Sequence, residues 1–183
     1  IYDMAMKMGA PVIGLVDCSG LRLQEATDAL NAFGEVFMKQ TLASGVIPQI
    51  TAIFGTCGGG AALIPNLTDV TFMTKEGAKL FVNSPNALDE NRAEKLDTAA
   101  ADYVAENTAN VDAVYDTEAE LLGAVRTMVG LLPSNNEDDG DCAVCEDDVN
   151  RIIPDLATKA GDVKAVIADI TDDEFVFELK KDF

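Results

Sequence analysis

Residues 47–62 have the sequence IPQITAIFGTCGGGAA, in which an apolar run leads into a segment of small residues. The run from Ile47 to Phe54 is typical of a buried strand, because it is continuous, apolar and rich in β-branched side chains. Gly58 to Gly60 then permit positive φ and a close approach of a ligand to the backbone. If a helix follows, its first N–H groups have no intrahelical partner and can hold an anion. The stretch therefore predicts a strand that ends in an oxyanion site, with a tight packing turn as the alternative.

Two familiar glycine motifs do not fit this segment. A phosphate-binding P-loop needs Gly-Lys-Ser/Thr, and Gly60 is followed by two alanines instead. The spacing Gly55-x-x-Gly58-x-Gly60 also differs from the G-x-G-x-x-G of dinucleotide-binding turns. A carbonyl that gains negative charge, as in a thioester becoming an enolate, remains a fitting ligand.

Strand-like and helix-like patterns alternate on both sides of this segment. Strands are predicted at residues 11–16, 47–54, 70–73, 80–82 and 111–114, and an edge strand at 175–179. Helices are predicted at residues 24–44, 61–67, 93–107, 117–132 and 163–170. The repeated order of strand and helix is typical of an α/β fold. At Leu132-Pro133 the chain passes into a polar, acidic loop, where we place a domain boundary.

Composition limits the class of protein. With 183 residues and 48% apolar content, the chain can bury one core and carry an appendage. A net charge of −19 argues against nucleic acid as a partner, because clustered Lys and Arg supply most of that binding energy. An anionic ligand would need local donors instead, and Arg22, Lys75 and Lys79 are the candidates. No apolar run approaches the ~20 residues that span a bilayer. The start at Ile1 predicts a piece of a longer protein.

Four cysteines without a secretory feature predict reduced thiols in a cytoplasmic setting. Cys142 and Cys145 have the C-x-x-C spacing of zinc sites and redox pairs, but a structural zinc needs four Cys or His ligands and the sequence contains no histidine. We therefore predict no metal site. Cys57 lies within the glycine segment, yet no histidine is available to activate it as a nucleophile. Asp17 and Glu25 remain candidates for an acid and a base.

Several motifs in this order resemble the carboxyltransferase family of biotin-dependent acyl-CoA carboxylases and decarboxylases, within the crotonase superfamily. The motifs are GAPVIGL at 9–15, DCSGLRLQE at 17–25, ASGVIPQI at 43–50, GTCGGGA at 55–61 and PNLTDVTFM at 65–73. The resemblance is strong over residues 1–132 and looser as far as residue 178. It implies a crotonase-like fold of repeated β-β-α units, with a partial N-terminal carboxyltransferase subdomain at 1–132. Residues 133–183 would then form an acidic loop and a connector to a second half.

The resemblance also implies an activity. Members of the family move a carboxyl group between carboxybiotin, held on a separate carrier protein, and the α-carbon of an acyl-CoA. The substrate is thus a coenzyme A ester, and the partners are the biotin carrier and a second carboxyltransferase half in a homo-oligomer. By resemblance, the N–H groups of Gly59 and Gly60 form the oxyanion hole. The other residues assigned to substrate binding are Ser19, Gly20, Leu21, Arg22, Gly58, Ala61, Asn83, Ser84 and Pro85.

Two segments depart from the family pattern. Residues 18–22 have the sequence Cys-Ser-Gly-Leu-Arg where relatives commonly have Ser-Gly-Gly-Ala-Arg, and the positions after Asp97-Thr98 lack the usual histidine and Ser-Gly pair. Acyl specificity is therefore left open. An enoyl-CoA hydratase or isomerase activity and a noncatalytic CoA-binding or assembly module remain the alternatives. Because half of the family's active site comes from the second half, we expect this chain alone to be inactive.

Overall fold

The computed structural model describes residues 1–87, 96–139, 148, 150–159, 161–172 and 175–183. Strands and helices alternate along much of this chain, as expected for an α/β fold. Short 3-10 turns lie at Leu23–Glu25, Gly59–Ala62 and Pro85–Ala87. In chain order the other elements are α1 (Tyr2–Met8), β1 (Val12–Cys18), α2 (Ala26–Ala43), β2 (Gln49–Gly58), α3 (Leu63–Asn66), β3 (Val70–Thr74), β4 (Lys79–Phe81), α4 (Ala101–Asn107), β5 (Ala113–Tyr115), α5 (Glu118–Leu131) and α6 (Val163–Ile170).

The strands form one parallel sheet in the order β1-β2-β3-β5, and β4 pairs with β2 outside this path. Strand β1 occupies one edge of β2 over nearly its whole length. The other edge of β2 is shared, because β3 pairs with Ile50 to Ile53 and β4 pairs with Thr56 to Gly58. The ten-residue strand β2 therefore connects the central sheet to the segment that contains the three glycines.

The core lies around β2 and β3. Ile50, Ile53, Phe72 and Met73 are fully buried, in agreement with the continuous apolar runs that predicted these strands. Helix α5 packs against β2, β3 and β5. A capping box fixes its start: the Thr117 hydroxyl accepts a hydrogen bond from the Glu120 N–H at 3.2 Å, and the Glu120 carboxylate accepts one from the Thr117 N–H at 3.1 Å.

Among the predicted elements that differ from the structure, two lie in the second half of the chain. The predicted helix at 93–107 begins only at Ala101, because Ala100 forms an antiparallel bridge with Lys79 and is extended; residues 88–95 lie outside the described part. The predicted edge strand at 175–179 was wrong, because no strand is assigned to these residues. Alternation alone favours a strand, but a strand forms only where a ladder partner exists.

Helix α2 has the predicted apolar periodicity, but much of its apolar face is exposed. Leu30 and Leu42 are 59% and 61% exposed, and Phe33 and Phe37 are half-buried. On the neighbouring edge strand β1, Leu15 is 62% exposed. Within the described residues, apolar surface thus remains uncovered along α2 and β1.

The chain divides into two compact units, residues 1–140 with 180–183, and residues 141–179. In the first, the Lys180 ammonium lies 2.8 Å from the buried Asp112 carboxylate. In the second, the Arg151 guanidinium donates to the carbonyl oxygens of Asp169 and Thr171 at 2.8 and 3.1 Å. The subdomain limit proposed at residue 132 stays a prediction. Of the helices described, none is long and apolar enough to cross a membrane.

Candidate active site

Two loops meet at the carboxyl ends of the neighbouring strands β1 and β2. We call them the arginine loop (Ser19–Arg22) and the glycine turn (Gly58–Gly60). Gly20 has φ 118°, and a Cβ placed on it would lie 3.2 Å from the Gly58 carbonyl oxygen. The structure thus brings together two segments that the sequence assigned to one site, and their close approach depends on glycine in each.

The glycine turn leaves donors next to open space. Gly59 has φ 61°, and a Cβ placed there would meet no atom within 4 Å. The 3-10 turn begins at Gly59, so the N–H groups of Gly59 and Gly60 precede its first internal donor. Outside the strand ladders, no other backbone segment among the described residues accepts a hydrogen bond from either N–H. Both residues are partly exposed, so a ligand can approach the turn.

The helix after the glycine turn is shorter than predicted. The prediction placed it at 61–67, whereas α3 has only four residues after the 3-10 turn and contains Pro65. A single turn contributes little macrodipole. The donors of this site are therefore turn amides, and their positions depend on the packing around the turn.

A bulge in β2 sets the position of the glycine turn. The register with β1 shifts between Val16, opposite Ile53, and Cys18, opposite Cys57. The Asp17 carboxylate accepts a hydrogen bond from the Thr56 N–H at 3.0 Å. A Cβ on Gly55 would lie 2.2 to 2.8 Å from the carboxylate atoms of Asp17, so only glycine fits beside them. Asp17 therefore stabilises this bulge. This is a structural role, and it differs from the acid–base role that Asp17 would have in a hydratase.

The two cysteines in this region are structural. Cys57 is fully buried, and its thiol donates to the Ala61 carbonyl oxygen at 3.3 Å. Burial, followed by the neighbouring Cys18 thiol, raises the pKa of Cys57 to about 12. The thiolate fraction at neutral pH is therefore negligible, which excludes Cys57 as a nucleophile. Ala61 is also fully buried, so its side chain offers no surface to a ligand.

The three candidate cations are each paired with a carboxylate. The Arg22 guanidinium lies 3.3 Å from Glu25, the Lys75 ammonium 3.2 Å from Asp102, and the Lys79 ammonium 2.5 Å from Asp97. The hydrogen bond from Lys79 lowers the pKa of Asp97. Exposed pairs of this kind contribute little to stability, so an anionic ligand can compete for these cations. Pairing with Arg22 also occupies Glu25, the second candidate for acid–base chemistry.

The predicted pocket-lining turn lies beside β4. Pro85 lines a cleft of about 300 Å³ together with Lys79, Phe81, Asn86, Leu96, Asp97 and Ala99. Asn83 and Ser84 are exposed on the same turn. The cleft is next to the glycine turn, because Phe81 lines it and also pairs with Gly58 across the sheet.

No group of metal-ligating side chains occurs within the described ranges. Cys142 and Cys145 lie outside them, so the C-x-x-C spacing stays a sequence observation. The sequence analysis missed the two aromatic rings at the glycine turn. Phe81 lies against Gly58, and the Phe33 ring is 3.9 Å from the Cβ position of Gly60. No local pattern marks either residue, since both contacts depend on the tertiary fold.

Comparisons with known proteins show the family and the fold of this chain. The family described as the carboxyl transferase domain matches residues 1–183. The chain is 39% identical to the methylmalonyl-CoA decarboxylase subunit alpha of Veillonella parvula, over 98% of this chain and 37% of that protein. It is 37% identical to the propionyl-CoA carboxylase beta chain of Roseobacter denitrificans, over 100% of this chain and 38% of that protein. The chain thus spans little more than a third of these curated relatives.

A solved structure is similar over almost the whole chain. It is the transcarboxylase 12S hexamer with hydrolysed methylmalonyl-coenzyme A bound, with a TM-score of 0.90 and 28% sequence identity. The match covers 99% of this chain and 37% of that one. The crotonase-like α/β fold expected from the motifs is thereby confirmed.

Proposed function

Because the chain belongs to the carboxyl transferase domain family, we propose that it forms part of the carboxyltransferase component of a biotin-dependent acyl-CoA carboxylase or decarboxylase. The reaction moves a carboxyl group between biotin and the α-carbon of an acyl-CoA. The observation that carries this proposal is the glycine turn, in which Gly59 and Gly60 are partly exposed and precede the first internal donor of the 3-10 turn.

These amides suit the charge that forms during the reaction. Removal of the carboxyl group or the proton from the α-carbon places negative charge on the thioester oxygen. Two N–H donors aimed at that oxygen would stabilise the transition state, and one well-placed donor is worth roughly 3–4 kcal/mol. Because the donors belong to a turn that is already packed, they need little reorganisation when the charge develops.

Biotin supplies the carboxyl group and a ureido nitrogen that can take the α-proton. The chain's own residues then need to bind, orient and stabilise charge, and no side chain has to act as general base. The absence of histidine from the sequence is consistent with this division. Asp17 is already engaged with the Thr56 N–H, which weighs against the hydratase alternative.

The arginine loop and the cleft beside β4 provide the remaining contacts in this proposal. Arg22 is largely exposed and can exchange Glu25 for a coenzyme A phosphate. Ser19, Gly20 and Leu21 bound the space next to the glycine turn, and Pro85 lines the cleft behind Phe81. Because the chain has a net charge of −19, long-range electrostatics do not attract an anionic ester. Local contacts of this kind therefore have to bind it.

We propose partners of the same kind as those of the relatives. A second carboxyltransferase half would complete the site, the biotin carrier would deliver its prosthetic group, and the complete protein would be a homo-oligomer. A hexamer has been described for the similar transcarboxylase 12S structure. Nucleic acid and membrane contacts have no place in this proposal, and the compartment we propose is the cytoplasm.

The test is carboxyl exchange by the complete carboxyltransferase that contains this chain, together with its biotinylated carrier. Labelled acetyl-, propionyl-, methylmalonyl- and glutaconyl-CoA would be offered in turn, with carrier lacking biotin as the control. We expect label transfer with at least one ester and none with the control carrier or with the 183-residue chain alone. Binding of acyl-CoA without transfer would support the noncatalytic module instead, and hydration of an enoyl-CoA would support the hydratase.

A further inference from the structure

Gly58, the first residue of the glycine turn, is enclosed by contacts from two other segments. It pairs with Phe81 in the parallel ladder between β2 and β4. A Cβ on Gly58 would lie 2.8 and 2.9 Å from two ring carbons of Phe81, and 3.2 Å from the Ser19 carbonyl oxygen. Gly58 is itself buried. The ring and the arginine loop thus fill the space around its α-carbon.

This packing fixes the residue directly before the proposed donors. A rotation about the backbone of Gly58 would swing the N–H groups of both Gly59 and Gly60, because they follow it in the chain. Gly59 is at φ 61°, and a Cβ placed on it would meet no atom within 4 Å, so no side chain packs against that side of it. The orientation of the donors is therefore set mainly at Gly58, by the atoms that pack against it.

We propose that Phe81 is a positioning residue for carboxyl transfer, whose ring holds Gly58 so that the Gly59 and Gly60 amides point at the substrate oxyanion. This inference rests on the proposed function for its chemistry, and on the Gly58–Phe81 contact for its geometry. A misplacement of about 1 Å in a reacting group can cost about 100-fold in rate. Loss of the ring should therefore act on the transition state more than on substrate affinity.

The first experiment compares Phe81→Leu and Phe81→Ala with the matched core variant Phe72→Leu, all in the complete carboxyltransferase with its carrier. Phe72 is fully buried in β3 and is remote from the glycine turn in the ladder. We expect kcat to fall about tenfold for Phe81→Leu and up to about 100-fold for Phe81→Ala, with the KM for acyl-CoA changed less than about threefold. Phe72→Leu should lower the melting temperature while kcat stays within about threefold of wild type.

A double-mutant cycle tests the contact itself. Gly58→Ala alone places a methyl group against the ring and should lose most activity. In Gly58→Ala/Phe81→Ala the methyl enters the vacated space. Of the three nearest atoms, the Ser19 carbonyl oxygen at 3.2 Å remains, and a shift of a few tenths of an ångström relieves this approach. We expect the double variant to be at least tenfold more active than the product of the single losses predicts.

Hydrogen exchange of residues 58–62 in the complete protein supplies a readout that does not depend on activity. We expect Phe81→Ala to accelerate exchange there, and Phe72→Leu to leave it unchanged under the same native conditions. Unchanged exchange in Phe81→Ala, independent effects in the cycle, or a change in KM without a change in kcat would overturn the inference. An inactive wild-type protein with the expected exchange pattern would instead overturn the proposed function.

Discussion

The glycine turn and the arginine loop lie at the ends of adjacent strands, yet they are held in different ways. Gly58 is buried between a phenyl ring and a backbone carbonyl, whereas the Arg22 side chain is 82% exposed and pairs with Glu25. Packed atoms define the geometry of the first segment, and solvent surrounds much of the second. The difference indicates a division of roles, in which the turn fixes donors for the chemistry and the loop adapts to the ligand.

We expect the largest loss of stability and activity from a change at Gly55. Its contact with Asp17 links the strands that carry the two segments. Gly55→Ala forces a methyl group into the Asp17 carboxylate, and we expect it to destabilise the protein by about 3 kcal/mol and to abolish activity. Chemical denaturation measures the loss. Gly34→Ala is the control, since a Cβ there meets no atom within 4 Å. A Gly55→Ala protein as stable as wild type would show that the bulge does not depend on this close approach.

Gly59→Ala tests whether the glycine turn needs glycine for its backbone conformation or for lack of space. The added methyl meets no atom, but φ 61° costs an L-residue about 1–2 kcal/mol, so we expect a relaxed turn, a matching loss of stability and about a tenfold drop in kcat. Gly123→Ala in α5 is the control, because a Cβ there also meets no atom within 4 Å but the backbone is helical. We expect it to stabilise the protein by about 0.5–1 kcal/mol. Equal behaviour of the two variants in calorimetry and kinetics would contradict this assignment.

Arg22→Ala should have a smaller effect, and on affinity. Loss of one exposed cation is worth about 0.2–1 kcal/mol, so we expect the KM for acyl-CoA to rise about two- to fivefold at low salt, with kcat unchanged. Added salt should reduce the difference. Arg126→Ala, which removes an exposed arginine from α5, should leave both constants unchanged. A fall in kcat for Arg22→Ala would mean that the arginine loop also takes part in the chemical step.

The smallest expected effect concerns Cys57. With its pKa raised to about 12, the buried thiol should resist iodoacetamide at pH 8 while the denatured chain reacts readily. Folding raises the pKa of this thiol from its ordinary value of 9.0 to about 12. The contribution of the neutral thiol to the free energy of unfolding is therefore fully present below pH 9, and it decreases as the pH rises toward 12. Mass spectrometry of the alkylated peptides measures the protection. Rapid labelling of Cys57 in the folded protein would contradict its burial beneath the turn.

Local patterns in the sequence were sufficient for much of the fold. Continuous apolar runs predicted β2 and β3, the capping residues around Thr117 agree with the start of α5, and helix α6 at Val163–Ile170 was predicted with the same bounds. The glycines of the candidate site were also identified from sequence. Tertiary pairing explains one failure, because the Ala100 bridge to Lys79 shortened a predicted helix, and alternation at residues 175–179 did not produce a strand.

The supports of the site could not be predicted in the same way. Asp17 and Thr56 are 39 residues apart, and their contact depends on a two-strand register that no local pattern contains. The same is true of Phe81 and Gly58, which meet only because β4 pairs with the end of β2. The sequence indicates which residues can donate a backbone hydrogen bond or adopt a positive φ. The direction of those N–H groups depends on neighbours from distant parts of the chain.

The shared edge of β2 has a practical consequence for protein engineering. Strand β3 pairs with the first part of this edge and β4 with the last. Mutations that stabilise the sheet therefore fall on β3, and mutations that change the candidate site fall on β4. A library confined to Phe81 and the residues after it can therefore vary the packing of the glycine turn while β3 is unchanged. Thermostabilising changes can be accumulated separately in β3 and combined with the selected variants at the end.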